Sequence, residues 1–82
     1  MDIVLLPQAI EDLSGVEDPL FSEVVKKLRL LKSFPDLGAP MDGPFAGYRS
    51  LLVGRLFRVI YRIRSEDRID VVYIRHTRRR LY

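Results

Sequence analysis

Cysteine is absent from this sequence, and histidine occurs only once among its 82 residues. Without cysteine the chain can form neither disulfide bonds nor a reactive thiolate, which agrees with a reducing compartment and leads us to expect a cytoplasmic protein. A single histidine argues against a zinc site built from protein ligands alone. We therefore expect no metal and no cofactor.

Long apolar runs are also missing. No stretch approaches the roughly 20 consecutive apolar residues that a membrane-spanning helix needs. No basic segment precedes an apolar one near Met1, as it would in a secretory signal. With 48% hydrophobic and 30% charged residues, the composition is that of a globular protein. The length predicts one small domain over residues 1–82 that does not contact a membrane.

Lysine is missing from the second half of the chain. Residues 46–82 contain ten arginines and three acidic residues, a net charge of +7. Residues 1–45 contain four Lys or Arg against eight Asp or Glu, a net charge of −4. The planar guanidinium group pairs with phosphate through two parallel hydrogen bonds, which an ammonium group cannot do. The bias therefore favours phosphate or an acidic partner as the ligand over a merely basic surface.

The first half predicts a short strand and two helices. The apolar run within residues 2–6 is typical of a central strand that is buried on both faces. Pro7 suits the start of a helix over about residues 8–16, and Asp18-Pro19 suits the start of a second over residues 19–33. The apolar residues of the second helix recur at helical spacing and form one stripe: Phe21, Val24, Val25, Leu28, Leu31 and Phe34.

The second half predicts a loop followed by strands. Residues 35–47 include six Pro or Gly, which predicts a loop without regular structure. Three apolar or alternating segments then indicate an antiparallel meander over residues 48–76, and a basic tail follows at residues 77–82. The predicted fold class is α+β: an N-terminal strand, with two helices packed on one face of a sheet that the three-stranded meander completes.

A turn sets the predicted register of the meander. Gly54-Arg55 suits a two-residue type II′ turn, which would place Arg49 opposite Ile60, and Tyr48 opposite Tyr61 on the core face. A second connection near residues 65–68 would place Arg62 opposite Val71 and Arg58 opposite Arg75. This register gathers four arginines on the face away from the core: Arg49, Arg58, Arg62 and Arg75.

The arginine face has two interpretations. Like charges that lie opposite each other in a sheet repel by about 0.2–1 kcal/mol, so such a face favours a bound anion. Phosphate fits best because its oxygens match the guanidinium fork. Alternatively, the arginines extend into water and the face is an ordinary solvated surface. Alternation of residue types does not decide between these interpretations.

Several short motifs spread over nearly the whole chain carry a family resemblance. They are Pro7-Gln8-Ala9 with Asp12-Leu13, Phe34-Pro35 before a Gly-Pro loop, Gly47-Tyr48-Arg49, Val53-Gly54-Arg55, Arg58-Val59-Ile60-Tyr61-Arg62 and Ile74-Arg75-His76. In this order and spacing they resemble the RelE/ParE superfamily of toxins from type II toxin–antitoxin systems. The resemblance implies a RelE/ParE-like fold, a cognate antitoxin protein as partner, and the plasmid stabilization for which such systems are known.

The superfamily implies two different mechanisms on one fold. RelE-type members cut messenger RNA on the ribosome without metal, because the RNA 2′-hydroxyl attacks the adjacent phosphate, and so inhibit translation. ParE-type members inhibit DNA gyrase and need no hydrolytic site. We expect a RelE-type endoribonuclease that acts on ribosome-bound mRNA. The alternatives are a gyrase inhibitor and a non-catalytic domain that only binds its antitoxin.

The resemblance also assigns residues. By motif position, Arg58 stands at the phosphate-binding arginine, and Arg49 at a basic residue of the preceding strand. The segment from His76 to Tyr82 resembles the ending of RelE-type toxins, in which a tyrosine stacks on the substrate nucleotide or helps to deprotonate it. The catalytic residues implied are Arg58, His76 and Tyr82. The phosphate- or RNA-binding residues expected are Arg49, Arg62, Arg75, Arg78 and Arg79.

Two features favour the alternatives. Leu51 stands where some RelE-type toxins have a second lysine. The predicted register places His76 opposite Phe57 on the core side, where a structural role is as plausible as a catalytic one. Tyrosine, with an ordinary pKa of about 10, is a poor base unless neighbouring cations lower that pKa. The arginines of residues 78–80 are the candidates for lowering it.

Overall fold

The computed structural model describes residues 1–78. This part of the chain contains the helices α1 (Pro7–Ser14) and α2 (Leu20–Ser33) and a short 3-10 helix at Gly43–Phe45. The strands are β1 (Asp2–Leu5), β2 (Ala39–Pro40), β3 (Arg49–Val53), β4 (Phe57–Ser65) and β5 (Arg68–His76). These elements confirm the predicted α+β class. None of the described helices is long and apolar enough to cross a membrane.

The strands form one sheet in the order β1-β5-β4-β3-β2, in which β1 is parallel to β5 and the other pairs are antiparallel. The prediction that the first strand is central was wrong, because β1 lies at an edge. Its apolar run is still half-buried: Ile3 and Leu5 pack against the core, and Val4, opposite Asp70, is on the other face. An apolar run therefore indicated burial on both faces, not position within the sheet.

The core lies between the helices and one face of the sheet. Val24, Leu28 and Leu31 of α2 pack with Val59 and Tyr61 of β4, as predicted. The two ends of the predicted apolar stripe behave differently, because Phe21 is 39% exposed and Phe34 is 60% exposed. Phe21 lies in the first turn of α2 and Phe34 follows its last residue, so only the middle of the stripe is buried.

The β3–β4 hairpin has a different turn from the one predicted. Gly54 and Arg55 both have positive φ angles, 58° and 61°, as a type I′ turn requires. Leu56 adds a third residue to the connection, so Val53 lies opposite Phe57 and Arg49 lies opposite Tyr61. The predicted register was wrong by one residue. Because side chains alternate between faces, this shift moves Arg49 to the face that the helices cover.

The β4–β5 pairing is confirmed in one half and corrected in the other. Arg58 lies opposite Arg75 as predicted. An irregularity after Ile60 leaves Val72 without a partner and moves Arg62 opposite Asp70 instead of Val71. The extra residue in β5 thus places a carboxylate opposite an arginine.

The predicted irregular loop at residues 35–47 contains β2 and the 3-10 helix, so the prediction of no regular structure was wrong. Pro40 is tolerated in a strand because β2 is an edge strand. The start of the loop is held by the buried Tyr61 hydroxyl, which donates to the Pro35 carbonyl at 2.6 Å and accepts the Gly38 N–H at 2.9 Å. Tyr61 therefore connects β4 to the loop through two hydrogen bonds.

A buried carboxylate lies on the sheet face away from the helices. Asp70 is fully buried and accepts hydrogen bonds from Arg68 Nε at 2.7 Å and from Arg64 at 3.4 Å. Burial alone would raise the pKa of Asp70. The hydrogen bond from Arg68 and the charges of Arg68, Arg64 and Arg62 outweigh it and hold the pKa below its usual value.

We predict that Tyr61→Phe destabilises the fold by about 1–3 kcal/mol, because Pro35 and Gly38 each lose a hydrogen-bond partner. Urea denaturation monitored by circular dichroism measures the free energy of unfolding. Tyr48→Phe is the matched control, since the Tyr48 ring packs on Phe45 and Arg62 and no hydrogen bond of its hydroxyl is seen in residues 1–78. Equal losses in the two variants would contradict the role given to the Tyr61 hydroxyl.

We predict that Asp70→Asn destabilises the protein by about 1–3 kcal/mol near neutral pH, because the arginines around it lose their counter-charge. The pKa of Asp70 is lower in the folded than in the unfolded state. Its contribution is therefore complete above about pH 4 and is lost as the pH falls through the folded-state pKa. Denaturation curves between pH 2 and 7 should converge for the two proteins at the acid end. Glu66→Gln, in the exposed β4–β5 turn, is the control. A difference in the free energy of unfolding between wild type and Asp70→Asn that is the same at every pH would refute the lowered pKa of Asp70.

Candidate functional site

The four arginines predicted to share one face do not do so, because Arg49 lies on the other face of the sheet. Arg49 lies opposite the core residue Tyr61 and donates to the Gly38 carbonyl at 2.7 Å. It also forms an ion pair of 3.4 Å with Asp36. The corrected hairpin register is the reason, since it turns Arg49 toward the loop after α2. Arg49 therefore lies apart from the arginines of the opposite face.

The adjoining Tyr61 is a structural group. Burial raises the pKa of its hydroxyl, and this effect exceeds the lowering by the Gly38 hydrogen bond and the Arg49 charge. The phenol therefore stays protonated at neutral pH, as its donation to the Pro35 carbonyl requires.

The face of the sheet away from the helices, called the outer face below, carries Arg58, Arg62 and Arg75. Arg75 is engaged there: its Nε is 3.4 Å from the Asp12 carboxylate of α1, and its guanidinium lies 4.8 Å from the centre of the Tyr73 ring. Its side chain is only 14% exposed. The neighbouring carboxylate compensates the charge of Arg75, so the predicted repulsion between Arg75 and Arg58 is reduced.

Arg62 is also held by neighbours. It lies opposite Asp70, and its guanidinium is 5.6 Å from the centre of the Tyr48 ring. Among the described residues, the buried Arg62 Nε has no hydrogen-bond partner. Tyr48 packs edge-on against Phe45, which in turn packs edge-on against Tyr73. The prediction that Tyr48 pairs with Tyr61 on the core face was therefore wrong: the segment after β2 brings aromatic rings over part of the outer face.

Arg58 differs from Arg49 and Arg75, and like Arg62 it forms no ion pair within residues 1–78. Within residues 1–78, no carboxylate lies within 4.0 Å of its guanidinium, which donates a hydrogen bond of 3.0 Å to the Thr77 carbonyl. Thr77 is fixed in turn, since its N–H donates to the Leu56 carbonyl at 2.8 Å and its hydroxyl to the Arg55 carbonyl at 3.2 Å. Arg58 thus lies beside Thr77, where the basic tail follows β5, and no carboxylate within residues 1–78 compensates its charge.

His76 lies at the same end of the sheet but on the core side. It is opposite Phe57, with the two rings edge to face at 5.5 Å, as the predicted pairing required. Its Nδ1 accepts the backbone N–H of Arg78 at 3.1 Å, so a neutral His76 carries its proton on Nε2. Arg78 is exposed, whereas Arg79 and Tyr82 lie outside the described residues.

Sequence reasoning missed the carboxylates that pair with the arginines: Asp12, Asp36 and Asp70. Asp70 did leave a signal, because it is a charged residue inside an otherwise apolar strand, and buried charges are normally paired. Asp12 and Asp36 left none, since each meets its arginine only through the tertiary fold. Within residues 1–78, no three His, Asp or Glu side chains group as ligands for a metal ion.

Known proteins resemble this chain in sequence and in structure. Residues 3–81 match the sequence model of the family described as the ParE toxin of the type II toxin–antitoxin system parDE. A comparison with curated protein sequences finds no significant match.

Solved structures of such systems share the fold. The RelBE2 toxin–antitoxin complex from Mycobacterium tuberculosis contains a chain with 25% identity and a TM-score of 0.81, covering 90% of this chain and 94% of that one. The YoeB/ParE toxin from Agrobacterium tumefaciens has 25% identity and a TM-score of 0.78, covering 93% and 98%. A chain of the chromosomal ParDE system from P. aeruginosa, at 20% identity, has a TM-score of 0.73 over 93% and 95% of the two chains. The chain therefore belongs to the ParE toxin family, within the RelE/ParE superfamily of type II toxin–antitoxin toxins.

Proposed function

We propose that this toxin is a metal-independent endoribonuclease that cuts messenger RNA on the ribosome. The observation that carries the proposal is the position of Arg58. It is a half-buried arginine without a carboxylate partner within residues 1–78, hydrogen-bonded to the backbone from which the basic tail continues. A positive charge held in place in this way binds a phosphate without first losing an internal ion pair.

The reaction assigns one task to each group. The RNA 2′-oxygen loses its proton to a base and forms a bond to the adjacent phosphorus, while the bond from phosphorus to the 5′-oxygen breaks and that oxygen takes up a proton. Arg58 stabilises the charge that develops on the phosphate oxygens. Tyr82 is the proposed base, made more acidic by the arginines of residues 78–80, and His76 is the proposed proton donor. Arg78 and Arg79 contact the RNA backbone.

The ribosome has a definite role in this proposal. Of the arginines expected to bind phosphate, the structure engages Arg49 and Arg75 with carboxylates, so the isolated toxin presents few fixed charges. Positioning of two reactants alone can supply several kcal/mol of the barrier, about 7–11 in well-oriented cases. A ribosome that holds the message in the reactive conformation would compensate for a small catalytic site.

Exposed apolar side chains of the helices and of the loop after α2 support a protein partner. Phe21, Phe34 and Leu37 are each at least 39% exposed, together with Ile10 and Leu30. The similar solved structures include complexes named as toxin–antitoxin assemblies. We propose that a cognate antitoxin covers these side chains with a segment that folds on binding, and neutralises the basic face with acidic residues.

We predict that Arg58→Ala lowers cleavage of ribosome-bound mRNA by about 10²–10³-fold, the usual cost of losing one charge-stabilising donor. Primer extension on a programmed ribosome measures the cleavage rate. Arg29→Ala is the matched control, since Arg29 is an exposed arginine of α2. Unfolding curves of both variants check that the fold remains. A folded Arg58→Ala protein with wild-type cleavage would show that Arg58 does not act on the phosphate.

We predict that Tyr82→Phe abolishes cleavage and growth inhibition while antitoxin binding persists, because the change removes only the ionisable hydroxyl. Co-purification with the neighbouring reading frame's product measures binding, and colony counts after induction measure toxicity. Tyr73→Phe is the control, since Tyr73 packs against Phe45 and Arg75 on the outer face. Undiminished toxicity of Tyr82→Phe would exclude Tyr82 as the base.

DNA gyrase is the second candidate target. Two observations favour it. The family match is to a ParE toxin. Two of the arginines expected to bind phosphate, Arg49 and Arg75, form ion pairs with carboxylates instead. A gyrase inhibitor would stop supercoiling of a relaxed plasmid by purified gyrase and would leave ribosome-bound mRNA intact. A nuclease would give the opposite pair of results.

A further inference from the structure

A cleft of about 350 Å³ opens between α1 and the end of β5, next to the proposed catalytic end of the sheet. Its walls combine polar groups of α1 with apolar and aromatic groups of the sheet: Gln8, Glu11, Val16, Phe57, Ile74 and His76. Asp12 and Arg75 also line it. A planar nucleobase is smaller than this space, and its faces and edges need this mixture of apolar and polar contacts.

Hydrogen bonds to Asp12 determine which donors and acceptors of the cleft remain for a ligand. Asp12 accepts from Gln8 Nε2 at 3.0 Å and from the Ile74 N–H at 3.0 Å, and its carboxylate is 3.4 Å from Arg75 Nε. Because the Gln8 amide nitrogen is used, its carbonyl oxygen remains as an acceptor. The Glu11 carboxylate is exposed and forms no ion pair within residues 1–78. The polar rim on α1 therefore offers acceptors.

A cationic side chain of a partner fits the cleft less well than a neutral base. A partner's cation would find only Glu11 as an uncompensated carboxylate in the cleft, because Asp12 is already paired with Arg75, and the guanidinium of Arg75 would repel it. The edge-to-face pair of Phe57 and His76 at 5.5 Å instead provides aromatic surface of the kind on which unstacked RNA bases pack.

We propose that this cleft binds one base of the single-stranded RNA substrate and prefers guanine. Guanine presents two adjacent donors, N1–H and the 2-amino group, to a carboxylate such as that of Glu11. Uracil has a single N3–H between two carbonyl oxygens, which the carboxylate repels. Adenine and cytosine each offer one amino group and fall between these two bases. The proposal rests on the nuclease function proposed above, because it supplies the recognition site of that activity.

The position of the cleft agrees with such a role. Phe57 precedes Arg58 in β4, and Arg75 lies directly opposite Arg58 in the sheet. Phe57 and Arg58 are consecutive in β4 and so lie on opposite faces of the sheet, but Arg75, which lines the cleft, lies directly beside Arg58 on the outer face. A nucleotide held in the cleft would therefore have Arg75 beside it, with Arg58 as the next arginine on β4.

The test uses the full 82-residue chain labelled with ¹⁵N and titrated with guanosine or uridine monophosphate. We expect saturable shifts of the amide signals of Phe57, His76 and α1 with the guanine nucleotide, and binding of the uracil nucleotide at least about tenfold weaker. Glu11→Gln replaces one acceptor oxygen with a donor amide and should weaken guanine binding about tenfold. Glu66→Gln, in the β4–β5 turn, removes the same charge elsewhere and should leave binding unchanged.

Three results would overturn the proposal. Equal binding of both nucleotides, with shifts confined to the outer-face arginines, would show phosphate binding alone. Binding of arginine amide in place of the guanine nucleotide would make the cleft a site for a partner's side chain. If the protein cleaves ribosome-bound mRNA without a guanine preference and binds neither nucleotide, the nuclease function stands. The cleft is then not its base-recognition site. Guanine binding in the cleft without any cleavage would instead support the site and contradict the nuclease.

Discussion

The position of β4 relative to its two neighbours determines most of this structure. One additional residue in the β3–β4 connection turns Arg49 toward the loop after α2, and one additional residue in β5 places Arg62 opposite Asp70. Each shift of one residue exchanges the faces of a strand segment. The same strand supplies Tyr61, which fixes the loop through Pro35 and Gly38. The core, the loop and the arrangement of arginines therefore depend on a single strand register.

Charge pairing then separates arginines that look equivalent in the sequence. Asp36 pairs with Arg49, Asp12 with Arg75, and Asp70 with Arg64 and Arg68. These contacts stabilise the sheet and the packing of α1, and they lower the charge that the protein offers to a ligand. Within residues 1–78, Arg58 and Arg62 both lack an ion pair with a carboxylate, and of these two only Arg58 is hydrogen-bonded to Thr77, where the basic tail begins. The proposed catalytic site follows from this difference between arginines.

The sequence predicted the fold class well because helical and strand periodicities depend on burial, and burial of the α2 stripe against β4 is what the fold achieves. The strand registers were harder to predict. The type I′ turn and the bulge each shift the pairing by one residue relative to the predicted register, and the free-energy difference between such alternatives is small. The edge position of β1 was also missed, because half-burial on both faces produces the same apolar run as a central strand. Asp12 and Asp36 were unpredictable as partners, because only the tertiary fold brings them to Arg75 and Arg49.

The central claim is that the toxin acts on messenger RNA through Arg58 at the start of the basic tail. Mapping of RNA 5′ ends across all transcripts, shortly after induction of the toxin in cells without its antitoxin, tests it most directly. The account predicts new RNA 5′ ends within reading frames, in phase with codons. These ends should be absent from cells that express Arg58→Ala and from cells in which translation is blocked before induction. Intact messages together with gyrase-linked DNA breaks would contradict the claim and assign the protein to the gyrase inhibitors.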